Sequence, residues 1–247
     1  MAKRVRLIVL VDNRAIEPLE PAWGLAVYLE AEGTRVLFDT GPEPVVLERN
    51  SELLRTRLND LDFVFLSHEH ADHAGGLPYV ADLNPGLEVY IPAGASKSLR
   101  RWIEDLGLRA VCVRGVREIS EGIYSSGEVC SGICEHALVV RTRGGLLVLT
   151  GCAHPGVRPL IERARALDKR VLMLLGGLHL AGAGLTELES VARYMAEIEI
   201  DTVLPLHCSG DRAVTYLARR LASTCGRGFA GLAVEVSERG VRTGRWI

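Results

Sequence analysis

The chain has 247 residues, of which 48% are hydrophobic and 24% charged, and its formal net charge is −2. That composition excludes intrinsic disorder and collagen-like structure, and no apolar run approaches the length of about 18 residues that a membrane span needs. Near-neutral charge offers no overall field for nucleic acid or anionic lipid, and an aromatic content of 5% argues against base-stacking platforms.

Taken in chain order, Arg4 to Val11 reads as a strand that ends at the turn-prone Asp12-Asn13. Gly24 to Glu30 and Thr34 to Asp39 read as a hairpin, and Pro44 to Arg57 has helical spacing of Val45, Val46, Leu53 and Leu54. Phe63 to Leu66 is a short apolar run expected as a buried strand. It feeds Ser67-His68-Glu69-His70-Ala71-Asp72-His73, with a helix expected from about Gly76 to Asp82. Strands at 87–91 and 109–113 flank a helix at 95–105. The stretch 115–135 reads as short strands and turns, and 137–142 with 146–150 as a second hairpin. Pro155 is placed in the first turn of a helix running to about Leu167. Strands at 171–175, 202–205 and 232–236 then alternate with helices at 187–198 and 212–222. No stretch rich in Pro, Gly or Ser marks a boundary, so 1–247 is expected as a single domain with two mixed sheets covered by helices. The two halves repeat a loose order of hairpin, helix, strand and histidine-bearing loop.

Lys3, Lys97 and Lys169 are the only lysines among 29 basic residues, glutamine is absent and there are four asparagines. Scarce thermolabile amides fit a thermophile, as arginine-rich codon usage also would. The opening residues are too quickly charged for a secretory signal, so a cytoplasmic location is expected. The six cysteines form no Cys-x-x-Cys pair. They are expected as free thiols in a mesophile's cytosol, with one or two disulfides in a hyperthermophile.

Three of only seven histidines fall in the pattern His68-x-His70-x-Asp72-His73. Neutral imidazole and carboxylate are the usual ligands of zinc, iron and manganese. His68 and His70, two apart on extended backbone, can point the same way. Asp72 and His73 follow after the chain turns into a helix and can aim at a second point. Each pair needs a further ligand from the remaining histidines.

The run Ser67-His68-Glu69-His70-Ala71-Asp72-His73-Ala74-Gly75-Gly76 resembles the signature of the metallo-β-lactamase superfamily, and Leu37-Phe38-Asp39-Thr40-Gly41 resembles its aspartate-bearing turn. Val11-Asp12-Asn13, Thr150-Gly151-Cys152-Ala153-His154-Pro155-Gly156, Gly176-Gly177-Leu178-His179-Leu180 and Leu206-His207-Cys208-Ser209-Gly210 resemble one branch of it. That branch comprises metal-dependent hydrolases related to the archaeal 7,8-dihydropterin-6-methyl-4-(β-D-ribofuranosyl)aminobenzene 5'-phosphate synthase. The resemblance implies an α/β four-layer αββα sandwich and two divalent metal ions, zinc first, with iron or manganese as alternatives. His68, His70 and His154 would hold one ion, and Asp72, His73 and His207 the other, with Asp72 also orienting the nucleophile as the catalytic carboxylate. Many members carry a bridging aspartate where this chain has Cys152, which is then either a soft ligand or a residue behind the ligands. Asp39 is expected to accept hydrogen bonds rather than bind metal, while His179, Asp12 and Asn13 are candidates for substrate contact. His136 is expected to be structural.

Three functions stay open at this stage. In the first, the ions make hydroxide available at neutral pH for attack on a phosphoester or other ester. The second is a dihydropterin transferase or synthase displacing pyrophosphate, and the third a non-catalytic metal-binding sensor. The expected partner is a phosphorylated small molecule, with no membrane or nucleic acid. A homo-oligomer stays open.

Overall fold

The computed structural model describes residues 1–238 and 240–246, with the side chain of Ser223 left aside. The amino-terminal half begins with an antiparallel meander of β1 (Val5–Val11), β2 (Ala26–Ala31) and β3 (Thr34–Phe38). Next come α1 (Pro44–Leu53), β4 (Phe63–Phe65), the single turn α2 (Ala71–Ala74), α3 (Leu77–Leu83), β5 (Glu88–Pro92), α4 (Lys97–Asp105) and β6 (Arg109–Val113). The other half contains β7 (Arg117–Ser120), β8 (Ile123–Ser125), β9 (Val129–Ser131), β10 (Ile133–Glu135), β11 (Leu138–Thr142) and β12 (Gly145–Thr150). It continues through α5 (Val157–Ala164), β13 (Val171–Gly177), α6 (Leu185–Glu197), β14 (Thr202–Leu206), α7 (Asp211–Leu221), β15 (Leu232–Ser237) and β16 (Gly240–Arg245).

Two mixed sheets result, in the strand orders β16-β15-β1-β2-β3-β4-β5-β6 and β14-β13-β12-β11-β8-β7. They face each other across a core that includes Leu7, Val9, Leu29, Phe38, Phe65, Val140, Leu147, Leu149 and Leu175. The alternate residues Ile8, Leu10 and Val64 face outward, under α1, α3 and α4. On the second sheet Val148 and Leu174 face outward, under α5, α6 and α7. The strands are apolar on both faces because both faces are covered, which is why 7–11 and 63–66 read as continuous hydrophobic runs. Each such side chain contributes about 1.5–3 kcal/mol when fully buried. Helix, sheet, sheet and helix thus form the four expected layers of an α/β fold.

Two features depart from the expectations. β16 extends the first sheet beyond the last strand read from sequence, pairing antiparallel with β15. Pro155 lies outside the helix it was placed in: Gly156, at φ 98°, ends a turn closed by its N–H donating to the Ala153 carbonyl, and α5 starts at Val157. Within the stretch expected as short strands and turns, β9 and β10 form a separate two-stranded ribbon closed by a disulfide between the directly opposed Cys130 and Cys134. Among the described residues, no helix is long and apolar enough to cross a membrane.

Candidate metal centre

Strand direction gathers the chemistry at one edge of the sandwich. β3 and β4 run parallel in one sheet, and β12, β13 and β14 run parallel in the other. β1 has the direction of β3, because both are antiparallel to β2. Asp12 and Asn13 follow β1, Asp39 follows β3, and His68, His70, Asp72 and His73 follow β4. Cys152 and His154 follow β12, His179 follows β13, and His207 with Cys208 follows β14. Carboxyl ends of parallel strands are where open α/β sheets place their ligands. Asp39, Ala153, His179 and His207 all adopt φ between 46° and 62°. For non-glycine residues this is costly backbone, held only where the surroundings over-determine it.

His68 Nε2, His70 Nδ1 and His154 Nε2 stand 3.2–3.3 Å from one another. An ion in tetrahedral coordination, about 2.0–2.1 Å from each nitrogen, needs them about 3.3 Å apart. Burial first, and then the neighbouring His73, hold His68 well below its ordinary pKa. His154 is lowered to about 4 by burial, His179 and His70. Neutral rings with free lone pairs are what metal binding requires, and here desolvation and neighbouring imidazoles keep His154 neutral.

Asp72, His73 and His207 form the adjoining set, with ligand atoms all within 4.8 Å of one another. Asp72 Oδ2 is 3.2 Å from His207 Nε2 and 3.8 Å from His73 Nε2. Burial opposes the charge of Asp72, but the His207 and His73 rings, when protonated, outweigh it and hold the carboxyl at about 2. His207 Nε2 is buried without a hydrogen-bond partner of acceptable geometry among the described residues. A buried nitrogen left so is expensive unless something absent from the protein satisfies it.

The hydrogen bonds behind these rings fix their tautomers. Ser67 Oγ has one proton and gives it to Asp39 Oδ2 at 2.8 Å, so at 2.9 Å it accepts from His68 Nδ1. His73 Nδ1 donates to the same Asp39 oxygen at 2.7 Å. Asn13 Nδ2 donates to the His207 carbonyl, which turns Asn13 Oδ1 toward His207 Nδ1 at 2.9 Å. In all three histidines Nδ1 carries the proton and Nε2 presents its lone pair inward, the usual arrangement behind metal-ligating imidazole.

The structure places Asp12 and Asn13 against His207. Asp12 is buried and accepts from the His207 and Arg14 amides, and both ends of the Asn13 side-chain amide are engaged with His207. Asp39, fully enclosed, also accepts from the Ser67 amide. His179 lies at the rim, its ring 4.6 Å from that of His154. Cys152 Sγ is 3.2 Å from His73 Nε2. Cys152 and Cys208 interact directly, which favours thiolate on Cys208 and pushes the Cys152 thiol up; the His179 amide also donates to Cys208 Sγ at 3.3 Å. His136 joins neither set: its Nε2–H donates to the Leu66 carbonyl and its amide to the Ser67 carbonyl.

Two participants escaped the sequence reading. Glu135, fully buried, accepts from the amides of Cys152, Ala153 and His154 at 2.8–3.0 Å and so shapes the loop that delivers His154. Burial raises its pKa to about 7 despite those three donors. The only sequence signal was a carboxylate set against an apolar hairpin. Trp23, 61% exposed, presents its ring 4.9 Å from that of His207 at the mouth. Gly151 and Gly177 permit the close approach of strand ends. A Cβ on Gly151 would lie 1.9 Å from Ser67 Oγ, and one on Gly177 would lie 2.2 Å from the Gly151 carbonyl oxygen.

The family model of the beta-lactamase superfamily domain matches residues 34–124, which include the His68-to-His73 run. The crystal structure of Tm1679, a metal-dependent hydrolase of the beta-lactamase superfamily, is 30% identical. It covers 95% of this chain and 100% of its own, with a TM-score of 0.78. The 7,8-dihydropterin-6-methyl-4-(beta-D-ribofuranosyl)-aminobenzene-5'-phosphate synthase of Methanocaldococcus jannaschii is 25% identical over 78% of this chain and 84% of its own length. Zn(2+)-bound PqqB from Methylobacterium extorquens shares the fold, at TM-score 0.62 and 14% identity over 92% of this chain and 99% of its own. Shared architecture along nearly the whole sequence, at that identity to Tm1679, establishes that the chain belongs to the metallo-β-lactamase superfamily.

Proposed function

We propose that the protein is a metal-dependent hydrolase with two divalent ions, acting on an ester of a small phosphorylated molecule. The observation that carries this reading is the pair of adjoining ligand sets, with the nitrogen triangle of His68, His70 and His154 on one side and the unsatisfied His207 Nε2 beside Asp72 on the other. His68, His70 and His154 would hold one ion, and Asp72, His73 and His207 the second, with zinc the preferred metal for this imidazole-rich set. When bound, such ions act as Lewis acids that lower the pKa of water and stabilise charge developing on an ester.

The chain's own groups supply the rest. Asp72 remains a carboxylate at neutral pH and is 23% exposed, so it can accept a hydrogen bond from an incoming water and orient it. Ser67, Asp39 and Asn13 keep the imidazoles in one tautomer and one orientation, so little reorganisation is needed during reaction. Trp23 and His179 stand at the mouth, where they can meet the substrate. Support for a phosphorylated substrate comes from the M. jannaschii relative, whose product carries a 5'-phosphate. The same relative favours a second reading, a transferase that makes a dihydropterin–arylamine bond.

Elemental analysis of protein purified without added metal, beside a His68→Ala/His70→Ala double variant, tests the centre. About two equivalents in the wild type and a clear loss in the variant are expected. Absence of metal even after reconstitution overturns both catalytic readings. Hydrolysis of phosphodiester and ester panels by the loaded wild type, abolished in Asp72→Asn, is the expected activity. Inertness on every ester, together with pyrophosphate release from a dihydropterin diphosphate and an arylamine, selects the transferase.

A further inference from the structure

Beyond the two histidine-containing sets lies a third cluster with different chemistry. Cys152, His179 and Cys208 offer two sulfurs and one imidazole nitrogen, all within 4.8 Å of one another. The three residues follow three adjacent parallel strands, β12, β13 and β14, so the sheet itself brings them together. Both cysteines are buried, whereas His179 is exposed and closes the cluster from the solvent side. Gly177 keeps the space open, since a Cβ there would stand 2.7 Å from Cys208 Sγ.

We infer that Cys152, His179 and Cys208 form a third cation site, selective for a thiophilic ion such as cadmium, adjoining the histidine–aspartate centre through Cys152. A Cys₂His donor set suits such ions and leaves a fourth tetrahedral position for solvent or substrate. Each thiol that binds releases its proton to solvent, and a sulfur–metal bond takes its place. Cys152 Sγ also lies 3.2 Å from His73 Nε2 and within 4.8 Å of a His68 ring nitrogen, so it borders the histidine sets as well as this cluster. Soft-ion occupancy would hold Cys152 on the Cys208 side. The site rests on its own donors and does not require the hydrolase reading to hold.

Titration of metal-free protein with cadmium chloride tests it, followed by the ultraviolet thiolate-to-cadmium charge-transfer band. The wild type should show a saturable band to which Cys152 and Cys208 contribute equally. Cys208→Ser and Cys152→Ser should each lose about half of that contribution, and the double variant all of it. Cys112 and Cys225 add the same background throughout and cancel in the differences. His179→Ala removes an exposed side chain and leaves the fold intact. It should keep the band but need about tenfold more cadmium, while His70→Ala should leave both unchanged. A band lost in Cys152→Ser but intact in Cys208→Ser overturns the proposal and assigns Cys152 to the His73 set alone. An unaltered cadmium affinity in His179→Ala overturns the three-ligand site even if the cysteine variants fail to fold. Loss of zinc from the His68, His70 and His154 set in the His68→Ala/His70→Ala variant, with the cadmium band preserved, separates this site from the dinuclear one.

Discussion

Asp39 Oδ2 accepts a 2.7 Å hydrogen bond from His73 Nδ1, and both side chains are completely enclosed. Burial alone would lower the pKa of His73. The Asp39 carboxylate outweighs it and raises that pKa, and at the same time points Nε2 toward Asp72 and Cys152. Asp39→Asn preserves shape but leaves too few acceptors for His73, Ser67 Oγ and the Ser67 amide. The second ion should bind about 10–100-fold more weakly, with the first set much less affected. Stepwise zinc titration of the metal-free variant measures both, and equal weakening of the two would show that Asp39 has no preference for His73.

Glu135 supports the opposite side of the cleft. Its two oxygens receive three amides from residues 152–154, and Glu135→Gln would turn an NH₂ group toward at least one of them. Leaving a buried donor unsatisfied costs about 1–3 kcal/mol. The variant should lose that much stability in urea unfolding of metal-free protein and should retain zinc poorly at His154. Unchanged stability would mean that the loop holds its shape without the carboxylate.

Gly151 faces a tighter constraint than its neighbours. The Cβ of Gly151→Ala would overlap Ser67 Oγ and stand 3.1 Å from Asp39 Oδ2. Overpacking of this kind typically costs about 1–3 kcal/mol. Here the group displaced is the serine that sets the His68 tautomer, so metal affinity should fall together with melting temperature. A variant that melts normally and binds two ions would show that Ser67 can rotate away at no cost.

Acid stability should carry the mark of His136. Burial lowers its pKa to about 3, against which the hydrogen bond to the Leu66 carbonyl works only weakly. Above about pH 6.5 the ring is neutral in both folded and unfolded chains and contributes no pH dependence. As pH falls from there toward about 3, the unfolded chain takes up a proton that the folded chain refuses, so stability declines by up to about 1.4 kcal/mol per pH unit from this group. His136→Gln, unable to titrate, should be less stable than wild type at pH 7, with the gap narrowing at pH 5 in metal-free urea unfolding. A constant gap would assign the acid sensitivity to other groups.

The parts of the centre legible in the sequence were those that one short segment carries. His68, His70, Asp72 and His73 depend on one strand end and one helical turn, so their spacing already conveys their geometry. His154 and His207 come from the facing sheet and were reached through resemblance, because no periodicity reports which strand end will oppose another. Glu135 stayed hidden because it works by accepting backbone amides seventeen to nineteen residues away, an interaction without a residue-type signature. Asp12 and Asn13 end a strand on the cleft side, but their hydrogen bonds reach His207, 194 to 195 residues on, a relation that sequence does not convey. The helix start after Pro155 was misplaced because proline fits a first helical turn so well, whereas the left-handed turn at Gly156 sets the boundary.

The nitrogen triangle is split between the two sheets, with His68 and His70 on one and His154 on the other. An ion held there is a rivet across the sandwich as well as a reagent. Neither half of the chain has a complete set, so tight binding reports that the two layers have docked in register. Loading also stabilises the docked form by mass action, by about 4 kcal/mol when free metal exceeds its dissociation constant a thousandfold. Starving the protein of metal would therefore loosen the seam between the sheets before it disturbed either sheet internally, and amide exchange at the ends of β4 and β12 would be the first place to register it.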